Sequence, residues 1–143
     1  MEKWIWLDMD GTFVNLYGVD GWLPMLIAED TTPYEVAKPM LNMNLLARLL
    51  NRAKEKGWKL GIISWTSKNG SKSYNKAVKV VKTKWVGRRL RSVNFDRIDI
   101  VDYGTPKELG RSGVLFDDEE PNRTNWNGQA YDPSYLIEFL KTL

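Results

Sequence analysis

Asp8 and Asp10 stand two residues apart, followed by Gly11 and Thr12, directly after the apolar run Trp4-Ile5-Trp6-Leu7. Carboxylates so close repel one another and are costly to desolvate, so their place at the end of an apolar run calls for a cation or a chemical task. Asp117 and Asp118 follow a second such run, Val114-Leu115-Phe116, and Ser64 follows a third, Leu60-Gly61-Ile62-Ile63. Lys107 lies shortly before the second acidic pair. Carboxylates from separate segments can hold a hard cation such as Mg2+, the cation and Lys107 can neutralise a phosphate, and one carboxylate can attack phosphorus. Ser64 and neighbouring backbone amides can hydrogen-bond phosphoryl oxygens as charge shifts.

Composition narrows the chemistry further. With no cysteine and no histidine among 143 residues, disulfides, thiolate or imidazole metal ligands and serine–histidine catalysis are all excluded. Any metal must be oxygen-bound, and Mg2+ is the expected cofactor. The length suits one domain, 1–143. No segment approaches the roughly 18 apolar residues that cross a bilayer, and the first strand begins almost at once, leaving no space for a signal peptide. A cytoplasmic protein without a membrane partner is expected.

The elements that must position these residues follow from periodicity. An apolar run over 4–7, closed by a glycine turn, predicts a buried strand with Asp8 and Asp10 at its tip, where open α/β sheets bind ligands. Residues 13–39 predict a loop-rich insert with one short helix near Pro33, capped by Thr32 and with Glu35 in its first turn. Helical spacing predicts a helix over 40–56, ended by Gly57, and the segment 58–64 reads as the next strand. Helix, glycine and strand in that order complete a βαβ crossover, which places the two strands parallel and Ser64 at the same edge as Asp8. A helix over 74–86, strands at 97–101 and 113–116, a loop over 121–128, a short strand at 129–131 and a helix from Asp132-Pro133 through Leu140 follow. Glu119 and Glu120 read as ordinary first-turn or loop acids, and Trp4, Trp6, Trp58 and Trp85 as core residues.

Nine cations and no acid lie between Lys68 and Arg91, although the formal net charge is only +3. Most simply these are the solvated face of the helix over 74–86. The alternative is that this field attracts a polyanion such as nucleic acid.

Asp8-Met9-Asp10-Gly11-Thr12 after an apolar strand resembles the first motif of the haloacid dehalogenase superfamily of phosphohydrolases. Ser64 resembles its second motif, Lys107 its third and Phe116-Asp117-Asp118-Glu119 its fourth, in order from residue 8 to residue 120. The resemblance implies an α/β fold, a three-layer Rossmann-like parallel sheet with a minimal cap insert at 13–39. It implies Asp8 as the nucleophile and Asp10 as the general acid and base. Mg2+ would be bound by Asp8, the backbone carbonyl of Asp10, and Asp117 or Asp118. Ser64 and Lys107 would hold the phosphate, with Gly11, Thr12 and Trp65 in the same phosphate-binding set. An acid at position 10 implies a phosphatase acting on a phosphorylated small molecule. Tyr17, Trp22 and Tyr34 in the insert could stack on a base, which makes a nucleotide one expected substrate. Lys84-Trp85-Val86 is similar to deoxyribonucleotidases, whose caps are larger, and Ser64-Trp65-Thr66-Ser67 to small magnesium-dependent phosphatases with minimal caps. A nucleic-acid-binding or regulatory protein of the same fold, or a phosphatase of nucleic-acid ends, is the alternative carried by 68–91.

Overall fold

The computed structural model describes residues 2–143. In chain order the elements are β1 (Lys3–Leu7), β2 (Val14–Asn15), α1 (Trp22–Ile27), α2 (Thr32–Val36), β3 (Lys38–Pro39), α3 (Met43–Glu55), β4 (Trp58–Trp65), α4 (Lys72–Arg89), β5 (Arg97–Val101), β6 (Val114–Phe116), α5 (Glu120–Asn125), β7 (Ala130–Tyr131) and α6 (Leu136–Lys141). Five strands form a sheet in the order β5-β4-β1-β6-β7, and each neighbouring pair is parallel. The chain builds outward from β1 through β4 to β5, then returns to the other side for β6 and β7. This reversal between β1 and β6 is the switch point at which ligands bind in such sheets. Asp8 and Asp117 stand directly beyond these two strands, and the Asp8 amide donates to the Phe116 carbonyl at 3.0 Å.

One face of the sheet carries Ile5, Leu7, Leu60, Ile62, Val114 and Phe116, and against it pack α3 (Leu46, Leu49, Leu50, Ala53), α4 (Trp85, Val86) and α6 (Leu136, Leu140). The other face is thinner. Trp6, Ile63 and Leu115 are covered by Trp126 and the partly buried Trp4, Val101 and Ala130, with the Arg97 and Arg111 guanidiniums 5.0 and 5.5 Å from the Trp6 ring. Gly61 belongs to this face, where the Trp6 ring fills the space that a Cβ would take. The fold is thus an α/β Rossmann-like parallel sheet with its long helices on one side and α5, tryptophans and the β5–β6 loop on the other.

Helix starts differ from the periodic expectation where a polar side chain caps the first turn. Asn42 accepts from the Leu45 amide at 3.1 Å and starts α3 three residues later than expected. Ser71 accepts from the Tyr74 amide at 3.2 Å and begins α4 two residues earlier, and the helix runs on to Arg89. The expected loop 121–128 is in part a helix: Pro121 sits in the first turn of α5, where its missing N–H costs nothing. The insert is more ordered than its composition suggests. Val14 and Asn15 pair antiparallel with Pro39 and Lys38 at its base, and it carries α1 as well as α2. No residue of α1 is buried, so it left no apolar stripe to read. Thr32 is the first residue of α2 rather than its cap; the N-cap is Thr31, without a side-chain hydrogen bond to the helix, and the Thr32 amide donates to Asp30 Oδ1 at 2.9 Å.

Candidate active site

Three strand tips converge on the switch point. Asp8 is buried, and both its oxygens are occupied: Oδ2 accepts from Thr12 Oγ1 at 3.0 Å and Oδ1 from Lys107 Nζ at 2.9 Å. Lys107, 3% exposed, also donates to Asp117 Oδ2 at 2.7 Å. It arrives on the β5–β6 loop, which is fastened by the Trp65 indole donating to the Thr105 carbonyl (2.8 Å) and Arg111 donating to the Lys107 carbonyl (3.2 Å). Burial disfavours its charge, but the Asp8 and Asp117 carboxylates outweigh that and hold the ammonium above the ordinary lysine range. Asp117 is in turn held by α5: its Oδ1 accepts from the Glu119 amide at 2.9 Å and its Oδ2 from Asn122 Nδ2 at 3.2 Å. Asn122 and Arg123, which donates to the Asp117 carbonyl, lie on α5, in a segment whose sequence carries no helical period.

Asp8, Asp117 and Asp118 each offer an oxygen within 4.8 Å of the others. One ammonium faces three carboxylates. Burial, with the Asp8 carboxylate beside it, pushes the Asp118 carboxyl up to about 8, and burial likewise raises Asp117. Gly11, at φ +83°, lies where any Cβ would collide with the Asp118 carboxylate. The backbone is therefore cut away to admit Asp118 to the cluster. An all-oxygen donor set short of positive charge fits a hard divalent cation. The Asp10 side chain is not part of this group, so a role for Asp10 in holding a metal falls to its carbonyl.

Asp10 has a separate partner that the sequence did not suggest. Lys82 of α4, only 1% exposed, donates to Asp10 Oδ2 at 2.6 Å, to Ser64 Oγ at 2.9 Å and to the Trp65 carbonyl at 2.8 Å. Asp10 Oδ1 is buried with no hydrogen-bond partner. Burial raises the Asp10 carboxyl above the usual range, against the opposing pull of Lys82. Lys82 is thus neither one of the solvated cations expected over 68–91 nor part of a polyanion-binding surface. Its signal was present in the spacing: Tyr74, Val78, Lys82 and Val86 recur every fourth residue, and all four are buried. The other eight cations of 68–91 are exposed.

A cavity of about 570 Å³ opens over these groups, lined at its floor by Asp8, Asp10, Ser64, Lys107 and Asp118. Its walls are largely apolar, with Tyr17, Trp22 and Leu26 from the insert facing Trp65 and Tyr103. The insert is docked onto α4: Glu29 accepts from the amide and hydroxyl of Ser71, both at 2.7 Å, and the Trp85 indole donates to the Ala37 carbonyl at 2.8 Å. Of the expected phosphate-binding set, Ser64 and Lys107 reach the floor. The amides of Gly11 and Thr12 close the turn after β1, donating to the Val14 and Met9 carbonyls. The Trp65 side chain forms wall, not donor.

Neither a family model nor a curated protein matches the sequence. Among solved structures, the D,D-heptose 1,7-bisphosphate phosphatase of Burkholderia thailandensis is similar to 97% of this chain and 99% of its own, with 14% sequence identity and a TM-score of 0.53. The two share an α/β Rossmann-like parallel-sheet fold. Asp8, Ser64 and Asp117 stand at the tips of adjoining strands, with Lys107 on the β5–β6 loop beside them. Among the described residues, no helix is long and apolar enough to cross a membrane.

Proposed function

We propose that this protein is a Mg2+-dependent phosphomonoester hydrolase that works through an aspartyl-phosphate on Asp8. The observation that carries the reading is the division of labour between two carboxylates on one turn. Asp8 is paired with Lys107 inside an acidic cluster, whereas Asp10 stands outside that cluster with one oxygen unpartnered. A buried polar atom without a partner costs about 1–3 kcal/mol, which is tolerable where a reacting group later supplies the partner.

In this reading an Asp8 oxygen forms a bond to phosphorus as the ester P–O bond breaks, and Asp10 gives its proton to the departing oxygen. Water then attacks the same phosphorus, Asp10 takes its proton, and the Asp8–phosphate bond breaks. The raised carboxyl of Asp10 suits the first of these tasks. Lys107 and the Ser64 hydroxyl hold the phosphoryl oxygens in place. Asp8, Asp117, Asp118 and the Asp10 carbonyl would hold Mg2+, whose charge offsets that of the phosphate and the crowded acids. The aromatic and aliphatic walls favour an ester bearing a flat apolar group, of which a nucleotide is the proposed example, over a bare polyhydroxylated sugar. Lys68, which also lines the cavity, makes phosphorylated oligonucleotide ends a sensible addition to any substrate panel.

The test is phosphate release from aryl phosphates, nucleoside monophosphates, sugar phosphates and phosphorylated oligonucleotides with Mg2+ present or chelated. Mg2+-dependent turnover, strongest on esters with a flat group, is expected; no turnover of any ester would refute the activity.

Metal binding has its own pH signature. The Asp118 carboxyl is raised to about 8, and those of Asp117 and Asp10 are raised above the 3.8 of the unfolded chain, in each case chiefly by burial. The native state then binds more protons than the unfolded state, so the metal-free protein loses stability as pH rises from about 4 toward 8. Mg2+ must displace those protons, so the rise in melting temperature on adding Mg2+ is expected to be larger at pH 8 than at pH 5, checked by thermal unfolding. An equal shift at both values would argue against a metal at this cluster.

A further inference from the structure

Lys82 is fully buried, on the apolar stripe of α4, at the point where that helix leaves the insert and meets the sheet. An ammonium has three N–H donors, and all three are used, on Asp10 Oδ2, Ser64 Oγ and the Trp65 carbonyl. The Tyr34 ring lies 5.0 Å from Nζ. With no donor left over, Lys82 cannot serve as a further phosphate ligand without breaking this set. Its effect on its neighbours is nonetheless specific. Holding Oδ2 fixes the rotation of the Asp10 carboxyl and leaves Oδ1 as the oxygen without a partner. Because an ammonium cannot accept, its bond to Ser64 Oγ also directs the serine hydrogen away from Lys82 and toward another acceptor.

We propose that Lys82 is a positioning residue for proton transfer: it clamps Asp10 through Oδ2, leaving Oδ1 as the oxygen that carries the transferable proton, and it orients the Ser64 hydroxyl as a donor. The proposal rests on the phosphatase reading above, and it predicts a loss that depends on how badly the leaving group needs a proton. A dinitrophenolate departs without one; an alkoxide does not.

The decisive measurement compares kcat/KM, which reports formation of the aspartyl-phosphate and not its discharge, for the wild type, Lys82→Met and the exposed-site control Lys79→Met on dinitrophenyl phosphate and on an alkyl phosphate, with Mg2+ present. A misplaced general acid is expected to lower kcat/KM on the alkyl ester by about 100-fold and on the dinitrophenyl ester by less than about 10-fold. Lys79→Met should change neither. An equal loss on both esters would mean that Lys82 only supports the fold, and would overturn the proposal. Should Lys82→Met fail to fold because Asp10 is left buried without its cation, the double variant Asp10→Asn/Lys82→Met removes both charges. If Lys82 acts through Asp10, the double variant keeps the ratio of dinitrophenyl to alkyl ester kcat/KM shown by Asp10→Asn alone, because the Ser64 contribution lowers both esters alike; a further tenfold change in that ratio overturns it. Absence of turnover by the wild type on either ester is a different outcome, because it removes the phosphatase reading and the proposal with it.

Discussion

Asp8→Asn is expected to lose essentially all phosphate release while keeping its fold. The asparagine amide is nearly the same size and can still accept from Thr12 or Lys107 through its oxygen, so the turn after β1 has no steric reason to move. It lacks the anionic oxygen that attacks phosphorus, and loss of a nucleophile costs far more than loss of a binding contact. A fall in kcat of more than about 10⁴-fold is expected, by analogy with nucleophile deletions in other hydrolases. Steady-state phosphate release, with circular dichroism as the folding control, measures it. A variant retaining a tenth of wild-type activity would show that Asp8 is not the attacking group. The same substitution removes one of three crowded negative charges, so the metal-free variant should be at least as stable as the wild type.

Lys107→Met should have the largest effect on stability. Lys107 donates to both Asp8 and Asp117, and Asp118 adds a third carboxylate. Removing one partner of a buried ion pair leaves uncompensated charge and costs about 3–5 kcal/mol, although the intact pair adds little net stability. The metal-free variant is therefore expected to unfold at markedly lower denaturant, by an amount equivalent to about 3–5 kcal/mol. Mg2+ should restore part of that loss by supplying the missing charge, while activity stays low because the phosphate has lost its cation. Denaturant titrations with and without Mg2+ check both statements. A change below about 1 kcal/mol in the metal-free protein would mean that solvent already compensates the cluster.

Much of this site could be read from the chain because its chemistry sits at the ends of strongly apolar strands. Trp4 to Leu7, Leu60 to Ile63 and Val114 to Phe116 each stop abruptly at a polar residue, and a parallel sheet brings such stops to one edge. Lys107 was legible only through the motif order, since its loop has no periodicity. Three features were hidden. α5 is built around Asp117 and Pro121, with only a few residues and no apolar stripe. α1 buries no residue, so it has no hydrophobic period. Lys82 is masked by its company, since the eight other cations of 68–91 are exposed. Tyr74, Val78 and Val86 at four-residue spacing identify the buried stripe, and a lysine on such a stripe needs a buried acceptor. Asp10 is that acceptor, 72 residues away, which no local pattern could supply.

The most direct test of the account is to trap the covalent intermediate. Asp10→Asn should still be phosphorylated by dinitrophenyl phosphate, whose leaving group needs no acid, but should discharge slowly for want of a base. Quenching it during turnover with phosphate-radiolabelled substrate should find label on the protein, and borohydride reduction should release that label as phosphate and leave homoserine at position 8, read by mass spectrometry. Label on another residue, or no label while the wild type turns the same ester over, would contradict the account.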